Sequence, residues 1–238
     1  VTLLELVAVV AAAALGGAVQ ATLGFGGSFV MVPVVTLVVP EALPGAVLLG
    51  LLPLTAKVTW TDRASLDVPT FRTVALARVP GILLGTWLVT IVSTRGLTLA
   101  VAVALLVAVG AAVAGREVPR TATSLRTLGF VSGVTGTAVA LGGPPLALVF
   151  HRQGGAERRA TMSAVFTVGI VLALASLAVA GEFGTQDAGT GALLGAALFG
   201  GSFVAGPVVR RVGDDWLRSA VLVWAAVGSV VAGARALL

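Results

Sequence analysis

The chain has 238 residues, of which 58% are hydrophobic and 11% charged, with mean hydropathy +1.08 and net charge +5. A water-soluble domain carries about 25% charged residues and could not cover so much apolar surface. Composition therefore excludes a soluble fold and predicts an all-α polytopic membrane protein, one membrane domain over residues 1–238 with membrane lipid as its solvent. The basic residues lie in short clusters between apolar runs, so nucleic acid is not an expected partner. There is no cysteine, which leaves out disulfides and thiolate chemistry. The N-terminus lacks a basic n-region, so no cleavable signal peptide is expected.

The apolar stretches run, in chain order, Leu3–Val39, Leu43–Trp60, Phe71–Val92, Leu97–Ala114, Leu128–Phe150, Ala160–Ala180, Gly189–Val209 and Leu217–Ala236. The first is too long for one spanning helix and is interrupted at Gly24-Phe25-Gly26-Gly27. The fifth is interrupted at Gly142-Gly143-Pro144-Pro145. Proline after paired glycines stops a helix and frees backbone groups. In a bilayer those groups must be buried in protein or face a wet cavity. Each interrupted stretch is thus a re-entrant hairpin or two helices meeting at a break.

The interruptions correspond. Displacing the chain by 116 positions lays Gly17 on Gly133, Gly26 on Gly142 and Gly27 on Gly143, and three apolar segments follow each break. This predicts an internal duplication, residues 1–116 and 117–238, each a broken hairpin followed by three transmembrane helices. The repeat of Gly26–Val30 at Gly200–Val204 falls at a different place in the second half; it reads as coincidence.

Charge predicts orientation. If each broken stretch enters and leaves on one side, that side collects thirteen of the fifteen basic residues: Lys57, Arg63, Arg72, Arg78, Arg116, Arg120, Arg126, Arg152, Arg158, Arg159, Arg210, Arg211 and Arg218. If each crosses once, the split is 8 against 7. The positive-inside rule favours the first arrangement, in which the halves are inverted and the basic loops are cytoplasmic.

Inverted halves with broken helices place a site near the midplane, where helix N-termini suit an anion. The candidate substrate-binding residues are Gly24, Gly26, Gly27 and Ser28 at the first break and Gly142, Gly143 and Pro144 at the second. Gln20, Thr135 and Thr137 lie close by and can donate hydrogen bonds. The structural alternative is that the glycines only allow tight helix packing and the hydroxyls bond their own helices. Lys57 and Arg78 lie inside apolar segments, near the inner ends. They either face a cavity and mark a substrate path or snorkel to the interface. His151 and Asp214-Asp215 read as loop groups, and Glu5 is the nearest approach to a deep carboxylate. Nothing here supports nucleophilic, metal or nucleotide chemistry, so neither an enzyme nor a cofactor is expected.

These features resemble the TauE/SafE family of prokaryotic membrane proteins. The resemblance rests on Gly17–Pro33 with its Gly-Phe-Gly-Gly break, on Pro80-Gly81-Ile82-Leu83-Leu84-Gly85, and on Gly142-Gly143-Pro144. Family members often carry a third glycine where this chain has Ser28. The resemblance implies a multi-pass protein of the prokaryotic plasma membrane. It implies a secondary transporter, an exporter, of a small sulfur-containing oxyanion such as sulfite, a sulfonate or sulfoacetate. Alternatives are a passive anion channel or a non-transporting sensor; a homo-oligomer is compatible with any of them.

Overall fold

The structure, a computed structural model, describes residues 2–114, 118–150, 155–204 and 214–237. Within them are ten α-helices and two 3-10 turns, with no strand. The helices are α1 (Leu3–Leu23), α2 (Gly27–Val38), α3 (Gly45–Thr61), α4 (Val68–Ile91), α5 (Thr94–Val113), α6 (Ala122–Val139), α7 (Gly143–Phe150), α8 (Gly155–Val179), α9 (Thr185–Val204) and α10 (Asp214–Leu237). Five of them, α1, α4, α5, α8 and α10, are long and apolar enough to cross a membrane. Leu76, Trp87, Val107, Val179 and Val223 stand more than half exposed on the outer surface, an apolar periphery that suits lipid. The chain is a polytopic helical membrane protein.

The first break falls on its glycines, at Gly24–Gly26, whereas the second comes slightly earlier than its Gly-Gly-Pro-Pro run, at Ala140–Gly142, with Gly143–Pro145 already in α7. Helix starts differ from the apolar runs, because caps lie in polar sequence. The helix containing Leu128 begins six residues earlier, where Thr121 and Ser124 cap each other's backbone N–H groups. α4 begins at Val68 because the Asp67 carboxylate accepts the Thr70 N–H at 3.2 Å.

The two broken pairs are hairpins. The Val118 N–H, just before α6, donates to the Leu148 carbonyl near the end of α7 at 3.3 Å. The start of α6 and the end of α7 therefore lie at one end of the bundle. Polar loops mark the same end: Arg120 pairs with Asp67, and Arg159 Nε lies 2.9 Å from Asp62 Oδ2. These pairs join the α3–α4 loop, the approach to α6 and the first turn of α8. At the opposite end, Arg235 Nη1 of α10 donates to the Leu37 carbonyl of α2 at 3.4 Å. There too Phe183, in the α8–α9 loop, packs on Gly45 at the start of α3. The α1–α2 pair opens toward that end and α6–α7 toward the basic one.

Helices pack cross-wise. α1 lies along α9 and α6 along α4, while α3 faces α8 and α5 faces α10. The closest approaches are built on glycine, since the Gly17 backbone touches Leu198 of α9 and the Gly81 backbone touches Phe130 of α6. A side chain at either position would collide with main chain.

Candidate functional site

The first break turns through Gly24 (φ 82°) and Gly26 (φ 102°), both left-handed and suited to glycine. The Gln20 side chain spans it. Its Nε2 donates to the Gly24 carbonyl at 3.2 Å, and its Oε1 accepts the Gly27 N–H at 3.0 Å. One amide thus satisfies the end of α1 and the start of α2.

The second break is braced differently. It turns at Ala140, which holds φ 57° without being glycine, a conformation costing roughly 1–2 kcal/mol. Thr135 Oγ1 donates to the Leu141 carbonyl at 2.9 Å, and Ser132 Oγ to the Gly142 carbonyl at 2.6 Å. Arg78, reaching across from α4, donates from Nη1 to Ser132 Oγ at 2.6 Å. The displacement of 116 lays Gln20 on Gly136 and Gly16 on Ser132. Where the first half has an amide, the second has a hole, and the guanidinium fills it: a methyl at Gly136 would lie 3.1 Å from Arg78 Nη2. Gly169 of α8 forms the other wall, where a methyl would lie 2.7 Å from Nη2 and 2.8 Å from Nε.

The two hairpins and the middles of α3, α4 and α8 enclose a cavity of about 40 Å³, room for one compact polyatomic ion or about three waters. The first hairpin contributes Gln20, Phe25, Gly26, Ser28 and Phe29; the second contributes Gly136, Ala140, Gly142, Gly143 and Pro144. Leu48, Leu51 and Thr55 come from α3, Arg78 from α4, and Phe166 and Ile170 from α8. Arg78 is the cavity's one charged group and is 3% exposed. Its Cζ sits 5.4 Å from the Phe166 ring centroid, and its Nε has no hydrogen-bond partner. Among the described residues no carboxylate lies within ion-pair distance of it; the pairs formed there, Arg120 with Asp67 and Glu157 and Arg159 with Asp62, are at the basic end. A cation buried without a counter-charge costs several kcal/mol.

Seven of the residues singled out in the sequence meet at this cavity: Gln20, Gly26, Ser28, Gly142, Gly143, Pro144 and Arg78. Five do not line it. Gly24 packs against Arg159 of α8, and the Gly27 N–H is taken by Gln20. Thr135 caps the second break, while Thr137 is fully buried with an unpartnered hydroxyl. Lys57 turns to α9, its Nζ 3.5 Å from the Phe203 ring centroid and 5.0 Å from that of Phe199. The snorkelling alternative thus fails for Arg78, which is sealed inside.

Both helix starts reach the cavity, α2 through Ser28 and α7 through Gly143. The first turn of α7 contains Pro144 and Pro145, which have no N–H to offer. Of the first three residues of α7 only Gly143 keeps an amide, and the Arg78 guanidinium is a further donor on the cavity wall. Glu5 is an exposed capping group bonded to Thr2. His151 lies outside the described residues, as do the side chains of Asp214 and Asp215. Ser132, Gly136 and Gly169, which seat the arginine, carry no signal in a single sequence, and Phe25, Phe29 and Phe166 read there as ordinary core.

Comparison with curated proteins and with solved structures returns no match. The family described as Sulfite exporter TauE/SafE matches over residues 9–232, both breaks and all the cavity-lining residues included. With nearly its whole length matched, this chain belongs to the TauE/SafE family of membrane transporters.

Proposed function

We propose that the protein is a secondary transporter that exports a small sulfur-containing oxyanion, such as sulfite, a sulfonate or sulfoacetate, by alternating access about the cavity between the two hairpins. The observation that carries this reading is Arg78, a buried cation with no carboxylate partner among the described residues, on the wall of a cavity of about 40 Å³. A charge so placed in a membrane protein is held for an anionic partner. The family's description supports the sulfur oxyanion.

Alternating access follows from duplication. Residues 1–116 and 117–238 are read as inverted repeats, supported by hairpins that open toward opposite ends and by packing that is unchanged in kind when the halves are exchanged. Two such halves can rock about a fixed central site. The protein resides in the prokaryotic plasma membrane with its basic end cytoplasmic. It moves its substrate without chemical change, so it is not an enzyme.

Flux into proteoliposomes tests the proposal. Sulfite uptake should saturate and show counterflow; a channel would show neither, and a sensor no uptake. Arg78→Gln should bring uptake to the protein-free level while the variant still inserts and purifies as one species. Arg95→Ala, at an exposed position in the first turn of α5, should match the parent. Parental uptake by Arg78→Gln would sink the proposal.

A further inference from the structure

We propose that the cavity accepts its substrate as a compact monoanion, so that sulfite is carried as hydrogen sulfite and the dianion is refused. This rests on the anion-transport reading above and narrows its substrate list.

The first ground is charge. Among the described residues Arg78 is the one charged residue lining the cavity. The groups against its guanidinium are Ser132, Gly136, Gly142, Phe166 and Gly169, none of which titrates. Other charges on α4 and the helices packed on it lie elsewhere. Arg72 of α4 and Arg126 of α6 are exposed. In the first turns of α8, Arg159 pairs with Asp62, Glu157 lies 3.9 Å from Arg120, and Arg158 has a partner of its own. On α3, Lys57 faces Phe199 and Phe203. One cation and one monoanion make a neutral cavity. A second negative charge would be enclosed uncompensated in a medium of low dielectric, and the anion would take up a proton instead.

The second ground is the supply of donors. The Gly27 N–H is held by Gln20, the Ser132 hydroxyl donates to Gly142, and the Thr55 hydroxyl donates to Leu52. Pro144 and Pro145 have no N–H. What remains on the wall is the guanidinium, the Ser28 hydroxyl and neutral backbone N–H groups such as those of Ser28 and Gly143, so nothing beyond Arg78 offers a positive charge to balance the second charge of a dianion. The proton balance is simple. Sulfite takes one proton from water on the loading side, crosses as hydrogen sulfite, and returns the proton to water on the far side. A proton then accompanies the anion with no carboxylate relay in the protein, and the cavity lining contains no carboxylate.

Titration calorimetry on the full chain in detergent, with chlorate, sulfite and sulfate as probes, tests this. Chlorate is isoelectronic with sulfite, pyramidal, and singly charged at every pH used, so it corrects for any titration of the protein itself. Chlorate affinity should stay level from mildly acidic to alkaline pH. The apparent affinity for total sulfite should match it on the acidic side. Above the second ionisation of sulfite it should fall by about tenfold per pH unit. Sulfate should not bind, and Arg78→Gln should lose both chlorate and sulfite. Sulfite affinity that stays level with chlorate through alkaline pH, or sulfate binding as tight as chlorate, overturns the monoanion and leaves the anion site standing. Failure of both chlorate and sulfite to bind at any pH overturns the site itself and this inference with it.

Discussion

Replacing Gly169 by alanine adds one methyl to α8 and removes no charge, yet it is aimed at the seat of Arg78. The new carbon would lie 2.7 Å from Nη2, 2.8 Å from Nε and 3.0 Å from Cζ, against an optimal non-bonded separation of about 3.5 Å or more. The guanidinium must therefore move by roughly half an ångström or more. It has little freedom to do so, because Nη1 is tied to Ser132 at 2.6 Å and Gly136 and Gly142 close the other sides. Displacement lengthens the charge-assisted bond from Arg78 to the anion. A lost bond of that kind is worth roughly 1.5–3 kcal/mol, or about ten- to a hundredfold in affinity. Helix propensity acts the other way, since alanine in mid-helix is favoured over glycine by about 1 kcal/mol. Gly169→Ala should thus hold its thermal stability to within a few degrees while its sulfite affinity, read by calorimetry at mildly acidic pH, drops at least tenfold. Affinity within about twofold of the parent in a folded variant would refute the argument that the Gly169 vacancy positions the arginine.

The two break glycines should separate. A methyl at Gly143 would meet Phe25 at 3.6 Å, an ordinary contact, so Gly143→Ala should purify like the parent and lose sulfite affinity by crowding the cavity. A methyl at Gly27 would lie 3.1 Å from the Gly16 carbonyl and 3.2 Å from Gln20 Oε1, so Gly27→Ala should also melt earlier; equal melting temperatures would contradict this. The sidedness of the bundle can be read with single cysteines, since the chain has none of its own. With the basic end cytoplasmic, an impermeant thiol reagent added outside should label Thr185→Cys and spare Thr123→Cys, and the reverse pattern would invert the assignment.

The hairpin breaks were legible because glycine and proline interrupt apolar runs that otherwise have no reason to stop. The cavity was legible only from one side. Residues of the breaks themselves, such as Ser28 and Gly143, announce their place in the sequence. The apolar walls do not, because Phe166 facing a void and Phe166 facing another side chain are the same letter. Arg78 and Lys57 show where pattern runs out. Each is a lone cation within an apolar segment, and each has a stem long enough to reach an interface or a cavity. Which it does depends on the neighbouring helix: glycines on α6 and α8 make room for Arg78, whereas phenylalanines on α9 draw Lys57 away. Gly136 and Gly169 are glycine for the sake of a side chain borne by another helix, a requirement that leaves no local periodicity. Likewise the proline pair that marked the second break as a helix start leaves Gly143 as the one amide among the first three residues of α7.

The cross-wise packing bears on the order in which the chain is made. α1 rests on α9, so the first hairpin must enter the bilayer and wait for a helix synthesised long after it. Its break would meanwhile leave bare peptide groups among acyl chains. Gln20 removes that hazard from within, since its own amide closes both the Gly24 carbonyl and the Gly27 N–H without help from elsewhere. The second hairpin never waits: α4, its partner, is already in place when α6 emerges. Its break is closed by its own Thr135 and Ser132, which donate to the Leu141 and Gly142 carbonyls, and Arg78 of α4 adds a bond to Ser132. Each hairpin thus closes its own break, and the later one gains a further brace from a helix already present when it forms.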